Sequence, residues 1–140
     1  MKKMIILLVL IMSLLGCKTP QQGMLDREQT MVEKGYRELK GDELKSMISG
    51  NTEQSSTGSY FYHSPDGTFK GVSGQSGKSN SGTWWMGDDG RVCRDWGNNK
   101  WVPKGCSAIF INDKTGDIQW YDTDGRWYRT TFHKGNIKGY

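Results

Sequence analysis

Little in this chain is suited to holding a metal or to nucleophilic catalysis. It has two histidines and three cysteines in 140 residues, with no Cys-x-x-Cys pair, and so lacks a zinc-binding spacing. His63 adjoins Ser64, but neighbouring strand residues point to opposite faces. The acidic residues fall mostly in turns or in the N-terminal helical segment, so no pair of carboxylates stands out as a glycosidase site. These absences lead to the expectation of a protein that is not an enzyme and uses no cofactor or metal. Long apolar runs are also missing. The one apolar stretch, residues 4–15, is shorter than the roughly 20 residues that span a bilayer as a helix. Neither sign of charge dominates: 19 basic and 15 acidic residues give +4, and removal of Lys2 and Lys3 with a leader would lower this to +2. A balance of this kind is no nucleic-acid footprint.

What is present begins with the leader. Lys2 and Lys3, the apolar run and then Leu14-Leu15-Gly16-Cys17 describe a secretory signal peptide. The cysteine straight after Gly16 resembles a bacterial lipobox, which implies cleavage before Cys17 and fatty-acyl (palmitate-type) chains on that residue. The rival is an ordinary signal peptide with a chance cysteine. Two or three acyl chains anchor a protein firmly where one is marginal, so the membrane partner would be reached through Cys17. Lys18 in the next position points to the outer membrane, on its periplasmic side. With Cys17 acylated, Cys93 and Cys106 remain, with twelve residues between them. An even pair in an oxidising compartment suggests one disulfide, stabilising by roughly 3 kcal/mol.

The chain divides into a leader (1–16), an acylated polar tether (17–24), a short helical segment (25–50) and a β domain (51–140). In the helical segment Asp26 is a candidate cap, with Met31, Val32, Tyr36 and Leu39 as a loose apolar stripe. A second helix is capped by Asp42, shares Leu44, Met47 and Ile48 on one face, and stops at Gly50. From residue 57 onward, short runs rich in aromatic and β-branched residues alternate with turn signals. The predicted strands are 59–63, 68–73, 82–86, 91–96, 106–112, 118–122 and 127–133. Asp66-Gly67, Asp89-Gly90 and Asp124-Gly125 suit tight hairpins. The fold class is therefore mainly β: an antiparallel meander forming a lipocalin-like or partly open β-barrel, preceded by two short N-terminal helices. Parity places Trp84 with Met86, Val92 with Arg94 and Trp96, and Ile118 with Trp120. Cys106, Ala108 and Phe110 share a face, and Cys93 lies opposite Val92. The Ser/Gly-rich stretch 73–82 reads as a mobile loop.

Two motif look-alikes fail on spacing. Gly77-Lys78-Ser79 lacks the first glycine of a phosphate-binding loop and precedes a strand, not a helix. Asp122-Thr123-Asp124-Gly125 opens like a calcium loop, but Thr131 stands near the place of the required glutamate. The aromatics are the remaining lead. Six Trp and six Tyr exceed what a small barrel core needs, and pairs such as Trp84-Trp85, Trp120-Tyr121 and Trp127-Tyr128 put one ring on each face. Trp85, Trp101, Tyr121 and Tyr128 are the candidate binding residues. Cover by helices or loops is the other use for such rings.

An ordered set of short elements carries a family resemblance. Gly50-Asn51-Thr52, Tyr60-Phe61-Tyr62 with Asp66-Gly67-Thr68, Ser81-Gly82-Thr83-Trp84, Gly90-Arg91-Val92-Cys93 with Trp96, Cys106, and Lys134-Gly135-Asn136 occur in one order. This set resembles the small exported bacterial proteins grouped as domain of unknown function 995, over roughly 39–136. The resemblance implies a periplasmic setting and supplies no activity or catalytic residue, and it supports the domain boundaries and the disulfide. The function expected is a cell-envelope lipoprotein that binds a small apolar ligand or a glycan. The alternative is a protein-interaction role, such as an inhibitor of a cell-wall-degrading enzyme that presents the loop 97–105, or an accessory to an envelope assembly.

Overall fold

A computed structural model describes residues 20–97 and 101–140. Cys17 and the leader lie outside the described residues. The elements are α1 (Pro20–Glu33), β1 (Arg37–Leu39), α2 (Gly41–Ile48), β2 (Thr52–Ser55), β3 (Tyr60–His63), β4 (Thr68–Val72), β5 (Ser79–Met86), β6 (Val92–Asp95), β7 (Gly105–Ile111), β8 (Ile118–Tyr121) and β9 (Trp127–His133). Strands β2 to β9 pair antiparallel in sequence order, and β9 pairs back onto β2 with Thr52 opposite His133 and Ser55 opposite Thr130. The meander therefore closes into an eight-strand barrel, which removes its edges. β1 stands outside the ring. It pairs with the second half of β7, Leu39 opposite Ile109, beyond the half that pairs with β6.

Alternation sorts the side chains. Phe69 on β4, Trp84 on β5, Val92 on β6, Ile109 on β7, and Ile118 and Trp120 on β8 form one buried cluster inside the barrel. Leu44 and Ile48 of α2 join it, each worth about 1.5–3 kcal/mol when withdrawn from water. The interior is filled tightly enough to demand a glycine: a Cβ on Gly71 would lie 2.5 Å from the Phe61 ring and 2.9 Å from that of Trp96. Outside the barrel a second cluster joins Met31 of α1 to Ala108 and Phe110, with Tyr36, Tyr121 and Trp127 around it.

The two ends differ. The β3–β4, β5–β6 and β7–β8 connections gather at one end, where α2 packs: Gly50 N donates to the His63 carbonyl, and Gly41 N to that of Gly90. The β2–β3, β4–β5, β6–β7 and β8–β9 connections lie toward the other end, which among the described residues stays open.

Several expectations are corrected at the N-terminal side. α1 starts at Pro20, within the segment expected as tether, and stops at Glu33. Tyr36 and Leu39 thus follow it instead of extending its stripe, and Val32 is 59% exposed. β1 and β2 lie where helix or loop was expected. Thr52-Glu53-Gln54-Ser55 has no apolar residue to show a period, so pairing on both sides, and not propensity, makes it a strand. Part of the stretch expected as a mobile loop, from Ser79 onward, is paired in β5 with β4.

Candidate functional site

The open end leads into a cavity of about 430 Å³. Its floor comes from three strands. Arg94 of β6 points inward by the same alternation that buries Val92 and Trp96, and only 7% of it is exposed. Its guanidinium carbon lies 3.9 Å from the centre of the Trp120 ring, a cation–π arrangement withdrawn from water. Arg94 Nη1 donates to Glu53 Oε2 of β2 at 3.3 Å, and Nη2 lies 3.6 Å from Asp122 Oδ2 at the end of β8. Asp122 Oδ1 is held separately, accepting from Ser107 Oγ at 2.9 Å and from Thr123 N at 2.8 Å.

The Glu53 carboxyl is 2% exposed. Burial pushes its pKa up to about 7, aided by the nearby charge of Asp122 and opposed by Arg94 and the Thr130 hydroxyl. Desolvation disfavours the ionised form more than one loosely held guanidinium restores it.

The walls are rings and hydroxyls. Phe61, Trp101 and Tyr128 line the cavity together with Ser55, Thr57, Ser59, Ser73 and Gln75. Trp101 rests on Trp96, ring centres 5.0 Å apart. Tyr128 Oη donates to Asp124 Oδ2 at 3.0 Å; its pKa is raised by partial burial and by that carboxylate.

Of the four aromatics singled out in the sequence, the structure brings Trp101 and Tyr128 together at the mouth. The other two lie on the outer wall. Trp85 is 39% exposed beside the disulfide, opposite Cys93 in register, with Lys104 Nζ 5.6 Å from its ring. Tyr121 lies under α1, its ring 4.7 Å from Trp127 and its hydroxyl bonded by Arg27. Cys93 and Cys106 are a cross-strand disulfide pair on the outer face. His63 is fully buried at the closed end among Phe69, Trp84 and Trp120. Burial, and then the charge of Arg94, hold its pKa well below the usual histidine range, so it is neutral and away from the mouth.

Sequence reasoning missed Glu53 and Asp122 as members of the site. Asp122 reads as the start of a turn, and Glu53 sits in an all-polar run. Arg94 alone carried a signal, a charge on a face otherwise occupied by Val92 and Trp96. Compared with family models, curated proteins and solved structures, the chain matches none.

Proposed function

We propose that this chain is a non-enzymatic binding module of the bacterial cell envelope, tethered by lipid on Cys17, that holds a small hydroxylated ligand of the glycan class in the mouth of its barrel. The observation that carries the reading is the cavity itself: a buried Arg94–Glu53 pair on the floor, the rings of Phe61, Trp101 and Tyr128 on the walls, and a volume of about 430 Å³. That size falls in the range of small-molecule sites. A hydroxyl both donates and accepts, so a polyol can serve guanidinium and carboxylate side by side while its C–H faces lie on aromatic rings. An apolar ligand would instead cover Arg94 and Glu53 without returning a hydrogen bond, at a cost of a few kcal/mol. The interior beneath Trp120 is already filled by the core cluster.

The inhibitor reading gains no support from the placement of Trp101, which is turned inward onto Trp96. Native mass spectrometry of protein purified gently from an envelope extract tests the proposal. A retained small mass is expected, and Trp101→Ala should lose it. A bare protein that also fails to take up any fragment of a digested cell-wall preparation would sink the reading. The anchor has a separate test: Cys17→Ser should release the protein from membrane fractions, and unchanged association would remove the lipid from the argument.

A further inference from the structure

The mouth is unbalanced in charge. Among the described residues its lining has three carboxyl groups, Glu53, Asp122 and Asp124, and two guanidinium groups, Arg94 and Arg126. Arg126 is three-quarters exposed and lies 3.6 Å from Asp124, so it belongs to the rim. Arg94 is left between Glu53 and Asp122, at 3.3 Å and 3.6 Å. Both separations exceed the roughly 2.7–2.9 Å of a charge-assisted hydrogen bond. One guanidinium is thus shared loosely by two carboxyl groups in a site withdrawn from water. Uncompensated buried charge is costly, and a second cation would relieve it. The walls suit one, because Phe61, Trp101 and Tyr128 line the same cavity and aromatic faces attract ammonium groups.

We infer that the ligand of the mouth carries an ammonium group, seated between the Glu53 and Asp122 carboxylates and the aromatic wall, while its hydroxyls engage Arg94 and the serine-rich rim. The inference rests on the binding reading above and narrows its ligand to an amino-bearing polyol, the amino-sugar class among glycans. A proton linkage follows. The groups around the Glu53 carboxyl are Arg94 on β6, Asp122 after β8 and the Thr130 hydroxyl on β9, and together with burial they leave its pKa at about 7. His63 on β3 is neutral, and Asp124 is engaged by Tyr128 and Arg126. An arriving cation favours the ionised form of Glu53 and expels its proton. For one displaced proton, affinity rises about tenfold between about pH 6 and about pH 8.

Calorimetric titration of the full chain with three matched probes tests this: glucamine (a polyol amine), sorbitol (neutral) and gluconate (anionic). At about pH 8 glucamine should bind at least about tenfold tighter than sorbitol, with gluconate weakest. Glucamine affinity should fall about tenfold at about pH 6, and in buffers of different ionisation enthalpy its binding heat should report proton release. Glu53→Gln should remove the pH dependence and most of the preference for glucamine. If that variant does not fold, the buffer dependence of the unaltered chain carries the test. Equal affinity for glucamine and sorbitol, or tighter gluconate, would overturn the ammonium site and leave the binding barrel standing. No binding of any probe, or glucamine binding untouched by both Trp101→Ala and Tyr128→Ala, would overturn the two together.

Discussion

The two ends of this barrel are built from the same strands yet solve opposite problems. At the closed end, Phe69, Trp84, Val92 and Ile109 meet Leu44 and Ile48 of α2 in a buried apolar cluster. The single titratable group there, among the described residues that line it, is His63, kept neutral by burial. At the open end the same ring of strands presents Glu53, Arg94 and Asp122, with hydroxyls above them. Trp120 borders both, its ring centre 6.3 Å from that of His63 and 3.9 Å from the Arg94 guanidinium carbon. The lesson is that inward-facing strand positions are not equivalent. Their place along the barrel axis decides whether they meet the apolar cluster or the charged cavity.

The largest effect expected on this comparison comes from removing the ring that both ends share. Trp120→Ala should cost about 3–5 kcal/mol in urea unfolding. A loss below about 1 kcal/mol would mean that Trp120 is not packed in the core as described. The outer-wall disulfide comes next. Replacing Cys93 and Cys106 together with alanine should lower stability by roughly 3 kcal/mol while leaving ligand binding at the mouth intact, since both residues lie on the opposite face from Arg94.

A smaller effect separates the two ends by their titration. Glu53 binds more protons in the folded state between its ordinary value of 4.5 and about 7, so its contribution declines as pH rises through that window. His63 binds fewer protons in the folded state below its ordinary 6.5, so its contribution declines as pH falls below that point. In the unaltered protein the slopes oppose each other. Glu53→Gln should leave stability rising with pH up to about 6.5, and His63→Phe should leave it falling toward about pH 7, each by at most about 1.4 kcal/mol per pH unit. Urea midpoints across pH check this. Parallel profiles in the two variants would show that neither group is placed as described. The smallest effect belongs to the rim: Gln75→Ala should change stability by less than about 0.5 kcal/mol, because Gln75 is exposed at the cavity edge.

Much of the wall was readable from residues alone, for identifiable reasons. Asp-Gly turns and period-two alternation located β3, β4 and β6 to β9 to within about two residues, because both signals are local. The same parity separated Cys93 from Val92 and grouped Cys106 with Ala108 and Phe110. β1 and β2 escaped. β1 is three residues long, and β2 has a polar sequence that is held by Tyr62 and His133 across its neighbours in register. The site was half legible. Trp101 and Tyr128 were picked for their rings, but nothing local told them from Trp85 and Tyr121, since adjacent aromatic pairs place one ring on each face and only closure defines inside.

By itself, the sequence determined the mainly β class, the hairpin turns and the alternation that gives each strand two faces. These follow from backbone sterics and side-chain period, which act over a few residues. The tertiary structure alone decided that β9 returns to β2 to close the ring, that α2 packs at one end, and that Glu53, Arg94 and Asp122 converge at the other. Those residues are 41 and 28 positions apart along the chain, and the elevated pKa of Glu53 arises from burial that exists only once the barrel has closed.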